Sequence, residues 1–242
     1  MFYKFFSVCF LIVGSGLTAC ATASPDDPLA GYNHAMFDAN ASVDTALIEP
    51  FVKGYRDVTP KPIRDGVHNV LDNLRAPTDL MNNVLQGKPG GAAQTLLRFV
   101  VNSTIGIAGL FDPATGMGIP LRTEDFGQTL AVWGAGNGTY VVLPFLGPSN
   151  VRDTAGLVVD VFSHPFAVVR YRGETIVQLT RFTVNGVDVR TNAIGLIDNL
   201  EENSLDLYAA YRSLYEQSRA DAIRDGELDV DDLPDFDEFD DE

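Results

Sequence analysis

The chain of 242 residues contains little cysteine and little positive charge. Cys9 and Cys20 are its only cysteines, and Cys9 lies in a stretch that we predict is removed. A mature chain with one thiol forms no intramolecular disulfide and no zinc site built from several cysteines. Lys and Arg number 17 against 33 Asp and Glu, a formal net charge of −16. We therefore expect no nucleic-acid partner, because such binding depends on a broad basic face.

Motifs for catalysis and for nucleotide or metal binding are also absent from the mature sequence. It has no G-x-S-x-G and no G-x-G-x-x-G between a strand and a helix. His34, His68 and His164 are far apart and lack the spacing of zinc ligands, so each is interpreted as a packing or surface residue. The sequence predicts no enzyme activity, no catalytic residue, no metal site and no cofactor.

The N-terminal residues have the pattern of a bacterial lipoprotein signal. Lys4 precedes an apolar run over residues 5–13, which is too short to span a bilayer. The run ends in L-T-A-C, which resembles the lipobox, where the signal is cut before a cysteine that receives a diacylglycerol. We predict a signal peptide over residues 1–19 and a lipid anchor at Cys20. The alternative is ordinary secretory cleavage beside a chance cysteine. Ala21, where inner-membrane lipoproteins usually have Asp, indicates the outer membrane.

Composition divides the mature chain into three parts. Residues 20–27 are a short polar tether, predicted to carry the lipid, and residues 28–224 have the apolar periodicity of one folded domain. Residues 225–242 contain 11 acidic residues and no Lys or Arg. Because like charges in such a block repel one another, we predict a disordered acidic tail.

Helical patterns dominate the domain. Apolar residues recur at spacings of three and four, and prolines and glycines mark the ends of helices predicted over residues 62–76, 78–86, 92–105 and 205–215. The first of these should end before Pro77, and the last should be capped by Asn203 or Ser204. Pro50 should kink or interrupt another helix between residues 31 and 55. With one short strand signal at Tyr140–Leu143, the prediction is a mainly α, multi-helix single domain.

Residues 100–121 are unusually apolar. They contain four glycines and a single ionisable residue, Asp112. A helix in water would show a charged face, and Asp112-Pro113 would break a simple membrane-spanning helix. We expect two short apolar helical pieces joined by a turn at residues 112–118. Composition leaves open whether they lie in the protein core or partly in lipid.

A second uncharged segment, Thr129–Gly147, comes soon after the first. Trp133 and Tyr140 in it are amphipathic aromatic residues of the kind found at membrane interfaces. Two neighbouring uncharged segments favour membrane contact, with Trp133 and Tyr140 predicted at the interface.

Two long motifs resemble a known family. DPLAGYNHAMF at residues 27–37 resembles the DPLEGFNRxMF opening of the MlaA (VacJ) outer-membrane lipoproteins. RTEDFGQTL at 122–130, Trp133-Gly134 and GTYVVLP at 138–144 resemble its second signature, which SNVRD at 149–153 extends. The likeness covers roughly residues 28–215. The acidic tail and Ala39 depart from the family pattern.

The resemblance implies a fold and a function. The fold would be a ring-like helical domain in the periplasmic leaflet of a Gram-negative outer membrane, with a broken amphipathic helical hairpin lining a channel. The protein would remove mislocalised phospholipids from the outer leaflet and pass them to a soluble periplasmic, MlaC-like carrier, beside trimeric porins. We expect the apolar hairpin to supply the lipid path, with candidate residues Ile105, Ile107, Leu110, Phe111 and Asp112.

Two other classes of function compete with transport. A structural lipoprotein would scaffold porins or envelope machinery without moving lipid, and a phospholipid-degrading enzyme would release lysophospholipid. Composition alone leaves the first two nearly level, and the family resemblance favours transport.

Overall fold

The computed structural model describes residues 27–164 and 172–227. The predicted signal peptide, Cys20, nearly all of the tether and residues 228–242 of the predicted tail lie outside the described residues. Within the described part the chain is mainly α-helical and forms a single domain, as predicted. Its helices are α1 Ala30–Val43, α2 Glu49–Val58, α3 Lys61–Leu85, α4 Pro89–Thr104, α5 Pro113–Gly116, α6 Phe126–Val132, α7 Val151–Ser163, α8 Glu174–Asn203 and α9 Leu207–Ile223. The strands are β1 Tyr140–Leu143 and β2 Gly147–Asn150. No helix among the described residues is long and apolar enough to cross a membrane.

The interruption predicted at Pro50 is confirmed. A π-helical segment, Asp44–Ile48, separates α1 from α2, and Pro50 lies in the first turn of α2. Proline lacks the N–H that would continue the α-helical ladder, and the wider turn before it accommodates the missing bond.

The predicted helix end before Pro77 is wrong, because α3 continues through this residue to Leu85. An interior proline costs about 3 kcal/mol in an isolated helix. Buried contacts just beyond it oppose this cost: the Asp79 carboxylate accepts hydrogen bonds from Arg75 and from the backbone N–H of Glu124, each 3.0 Å long. Residues 78–85 therefore extend α3 instead of forming a second helix.

The predicted position of the break in the apolar segment is also wrong. The chain reverses directly after α4, in a turn over residues 105–112, and the next helix is only the four-residue α5. Ile107, Ala108 and Gly109 have φ of 54°, 56° and 90°, a conformation that ordinary L-residues rarely adopt. The physical reason is Asp112, which caps α5 and is held back against α4 by Arg98, so the reversal is complete before residue 112.

The predicted strand at residues 140–143 is confirmed, and it forms an antiparallel hairpin with β2. Asn33 of α1 fastens this hairpin, since its side chain accepts the Val142 N–H (2.9 Å) and donates to the Tyr140 carbonyl (3.2 Å). Tyr140 and Val142 pack with Tyr208 of α9 in a small core. The cap of α9 is Asp206, two to three residues beyond the predicted one.

Candidate functional site

Polar side chains fill the interior of the described chain, whereas apolar side chains cover much of its exterior. Buried positions comprise 21 polar or charged residues and only 7 hydrophobic ones, while 33 large hydrophobic residues are exposed. A domain surrounded by water shows the opposite distribution. The exterior is therefore suited to apolar surroundings.

The exposed side of α8 forms a long uncharged surface. From Thr175 to Leu196 no exposed residue carries a charge, over a length of about 33 Å at 1.5 Å per residue. Leu179, Phe182 and Val189 are exposed along it. The charged residues in this stretch are partly or fully buried, so the exposed side of α8 is uncharged throughout and consists of apolar residues together with Thr and Asn.

The polar interior is held together by an ion-pair network around Arg219 of α9. Its guanidinium binds both carboxylate oxygens of Asp125 at 2.6 Å and reaches Asp153 at 2.7 Å. Tyr215 donates a further hydrogen bond of 2.5 Å to Asp153. Because Asp125 and Asp153 belong to the RTEDFGQTL and SNVRD motifs, these motifs join three helices and have a structural role.

The network governs the ionisation of Asp125. Burial by itself would raise the pKa of this carboxyl group, but the hydrogen bonds and the charge of Arg219, together with the Gln128 N–H, lower it to about 2. The folded protein therefore holds Asp125 as a carboxylate even in mild acid.

We predict that the contribution of Asp125 to stability is lost in acid. Since the pKa of Asp125 is lower in the folded than in the unfolded state, its contribution is complete above about pH 4 and is lost as the pH falls towards 2. The fall in the pKa from 3.8 to about 2 corresponds to roughly 2 kcal/mol. The measurement is the free energy of unfolding in detergent between pH 7 and pH 2.5. Asp125→Asn should have a shallower slope below pH 4, and an equal slope would contradict this assignment.

A second interior network joins the end of α3 to the start of α6. Glu124 is only 1% exposed, and its carboxylate accepts hydrogen bonds from Gln86 (2.8 Å) and Lys88 (3.4 Å). Thr129 donates to Asn82 of α3 at 2.8 Å. These contacts fix the two helices to each other through polar groups alone.

The turn over residues 105–112 is closed by Asp112. Its carboxylate accepts hydrogen bonds from Arg98 (2.7 Å), Asn102 (2.9 Å) and the backbone N–H of Thr115 (3.1 Å). Burial opposes ionisation of Asp112, but these bonds lower its pKa to about 2. The structure thus places Asp112 beneath the turn as a fastening group, and its predicted place in a lipid path stays a prediction.

An apolar cavity of about 550 Å³ lies between α3, this turn and α8. Helix α3 contributes Pro62, Ile63, Gly66, Val67, Val70 and Leu71. Leu110 and Phe111 close one side, and Val184 of α8 closes another. Eight of the nine lining residues have apolar side chains, and the ninth is glycine.

The structure separates the five residues predicted for a lipid path. Leu110 and Phe111 line the cavity, whereas Ile105 and Ile107 are 63% and 64% exposed and do not line it. The residues that α3 and α8 contribute to the cavity were not predicted from the sequence. The spacing of Ile63, Val67 and Leu71 was a detectable signal, but an apolar helix face ordinarily indicates a packed core.

The two aromatic residues predicted at a membrane interface differ in their surroundings. Trp133 is 56% exposed, and its indole N–H donates to the Leu85 carbonyl at 3.0 Å, so its interface role stays a prediction. Tyr140 is 6% exposed and lies in the core against Tyr208, with the Arg212 guanidinium 5.0 Å from its ring centre. Its place in the hairpin core corrects the prediction that it meets a membrane.

The histidines have structural surroundings. His68 lies 2.7 Å from Asp188 and 3.5 Å from Asp72, and the Asn192 amide is a third polar neighbour. His34 stacks on Tyr208. Across residues 27–164 and 172–227, no group of three or more His, Cys, Asp or Glu side chains is placed to hold a metal ion.

Known proteins resemble the chain along most of its length. The family model for MlaA lipoproteins matches residues 25–222. The "Intermembrane phospholipid transport system lipoprotein MlaA" of Escherichia coli K12 is 33% identical over 222 residues, which cover 88% of this chain and 86% of that protein. The protein of the same name from Haemophilus influenzae is 30% identical over 230 residues, 90% of each chain. A structure solved in work on the "structural basis for maintenance of bacterial outer membrane lipid asymmetry" is similar with a TM-score of 0.70 and 32% identity, over 81% of this chain and 98% of that one.

Proposed function

Because this chain belongs to the MlaA lipoprotein family, we propose that it transports phospholipids between the membranes of a Gram-negative envelope and so maintains outer-membrane lipid asymmetry. In this proposal it removes mislocalised phospholipids from the outer leaflet. It then passes them to a soluble periplasmic, MlaC-like carrier. The family resemblance in the two sequence motifs is confirmed by the match to the family model.

The observation that carries the proposal is the inverted distribution of polarity. A protein that moves phospholipid must meet hydrocarbon on one surface and offer polar groups on another. The described chain has many large apolar side chains on its exterior, including those along the uncharged side of α8, and an interior of paired Asp, Glu, Arg and amide side chains. We propose that this exterior lies in the periplasmic leaflet of the outer membrane, with Cys20 as the lipid anchor and Trp133 at the interface.

The route of the lipid is part of the same proposal. The apolar cavity beside Leu110 and Phe111 offers a place for acyl tails. A ring-like arrangement with a channel would give the headgroup its polar path, and trimeric porins would be neighbours in the membrane. These finer features rest on the family resemblance.

Lipid analysis of the purified mature protein tests the proposal. Protein extracted in mild detergent should carry intact phospholipid above the level in matched detergent without protein. A Cys20→Ala form separates the covalently attached acyl chains from bound lipid, since only the former should disappear. Absence of bound phospholipid from both forms would favour the structural lipoprotein, which requires no lipid binding.

The enzyme alternative predicts a different product. A phospholipase would release lysophospholipid and would need an activated nucleophile, usually a serine, beside a histidine. The polar neighbours of His68 are two carboxylates and an amide, and none of these three is a serine. Mass spectrometry of phospholipid incubated with the protein should show no lysophospholipid, and its accumulation would favour the enzyme.

Leu110→Asp should impair lipid clearance. Leu110 lines the cavity, and a carboxylate there would face apolar walls, where charge is strongly disfavoured. When this variant is expressed in a strain lacking the protein, surface phospholipid should stay as high as in the deletion strain itself. Leu110→Met is the matched control, because it keeps an apolar side chain of similar volume at the same position. Equal loss of clearance in both variants would contradict the requirement for an apolar side chain at residue 110.

A further inference from the structure

We propose that the cavity between α3, the 105–112 turn and α8 binds one acyl chain of a phospholipid, while the second chain and the headgroup stay outside it. This inference rests on the proposed function for the identity of the ligand. Its geometrical basis is independent, because it comes from the size, the walls and the opening of the cavity.

The size of the cavity suits a single chain. With about 30 Å³ for each methylene, close to the volume of a water molecule in the liquid, 550 Å³ holds roughly 18 carbons. That is the content of one fatty-acyl chain and about half that of a diacyl lipid. The cavity therefore accommodates one chain at a time.

The walls of the cavity exclude a polar ligand. Every lining side chain is apolar, so a polar group inside would lose its hydrogen bonds to water without replacement. The occupant is therefore apolar along its buried length. Ile63 and Phe111 are both more than half exposed, which places the opening on the apolar exterior, where a lipid chain would enter.

The inner wall is preformed by a close contact between the turn and α3. Residue 66 is glycine, and a Cβ there would lie only 2.9 Å from the Leu110 side chain. Gly109 has φ of 90°, and a Cβ at this position would lie only 2.5 Å from the Asn73 Cβ. Asp112 and Arg98 fasten the end of the turn. The wall that Leu110 forms is thus held in place without a ligand.

Photocrosslinking with a lipid probe tests the inference. The mature protein is mixed with micelles containing phosphatidylethanolamine that bears a diazirine at the end of one acyl chain, and labelled peptides are identified by mass spectrometry. We expect label on residues 62–71 of α3 and on Leu110 or Phe111. Lysophosphatidylethanolamine, which has one chain, should compete about as well as the two-chain lipid. Label confined to the exposed side of α8, or failure of the one-chain competitor, would overturn the inference.

A filled cavity provides the matched variant. Val70→Trp should reduce labelling of α3 by about tenfold or more, because displacing two methylenes already corresponds to about tenfold in affinity. Val84→Trp is the control, on the exposed side of the same helix. If Val70→Trp fails to fold, as judged by its thermal melt, Val184→Trp fills the cavity from α8. Unchanged labelling in a folded cavity-filling variant would contradict the inference.

The result also separates this inference from the proposed function. If the cavity is labelled but surface phospholipid stays normal in a deletion strain, the acyl-chain site is supported and transport is rejected. If surface phospholipid rises in the deletion strain but the cavity is not labelled, transport is supported and the acyl-chain site is rejected.

Discussion

Arg219→Ala should destabilise the protein by about 3 kcal/mol, because it leaves the partly buried Asp125 carboxylate without its counter-charge and removes one of two from Asp153. Arg219 bridges Asp125 and Asp153, so its loss breaks this ion-pair link between α9 and α6 and weakens the link between α9 and α7, which Tyr215 still makes. Without Arg219, Asp125 keeps hydrogen bonds from the uncharged Gln128, whereas Asp153 keeps Tyr215 and the charged Arg152. The free energy of unfolding in detergent, from denaturant titration, gives the magnitude.

Two control variants test whether the lost charge and hydrogen bonds of Arg219 cause the loss of stability. Arg219→Lys retains the charge but loses the two-pronged contact with Asp125, and we expect an intermediate loss of stability. Lys61→Ala removes an exposed ion pair with Asp65 and should change stability by no more than about 0.5 kcal/mol. A small effect of Arg219→Ala, similar to that of Lys61→Ala, would show that the network contributes little to folding.

Gly156→Ala should cost roughly 3 kcal/mol or more, at or above the upper end of the usual penalty for overpacking. A Cβ at residue 156 of α7 would lie 2.3 Å from the backbone N and 2.7 Å from the Cα of Gly127 in α6. The obstructing atoms belong to the backbone, so no side-chain rotation relieves the clash. The two helices would have to separate, and the Asp125–Arg219–Asp153 network spans the same junction.

Gly186→Ala is the matched control, since a Cβ at this position in α8 meets no atom within 4 Å. In the middle of a helix, alanine is more favourable than glycine by about 0.5–1 kcal/mol, so this variant should be slightly stabilised. Thermal melts of both variants in the same detergent provide the comparison. Similar melting temperatures would contradict the close approach of α6 and α7.

The sequence predicted the helical class, the hairpin strand and the interruption near Pro50 because each has a local physical signal. Periodic apolar residues, β-branched residues and the missing proline N–H act on the nearest few residues. The continuation of α3 through Pro77 has no local signal, because it depends on contacts of Asp79 with Glu124, 45 residues away. The same holds for the turn after Thr104, whose position depends on the pairing of Arg98 with Asp112.

The candidate site was predictable only in part, for a related reason. Leu110 and Phe111 were identified because an apolar, uncharged segment is unusual in itself. The opposite wall, on α3, has the same periodicity as a packed helix, and only the structure shows a cavity beside it. Tyr140 was misplaced because its amphipathic ring suits either a membrane interface or a core lined by polar groups. The RTEDFGQTL motif identified the family, and its structural role became visible through its contacts with α9.

The most direct test of transport is the phospholipid content of the outer leaflet in a strain lacking this protein. A label that reacts with amines and does not cross membranes reports phosphatidylethanolamine at the cell surface. We expect surface phosphatidylethanolamine to rise in the deletion strain and to return to the parental level when the wild-type chain is restored. An unchanged surface in the deletion strain, with the protein shown to be present in the parent, would contradict a role in lipid asymmetry.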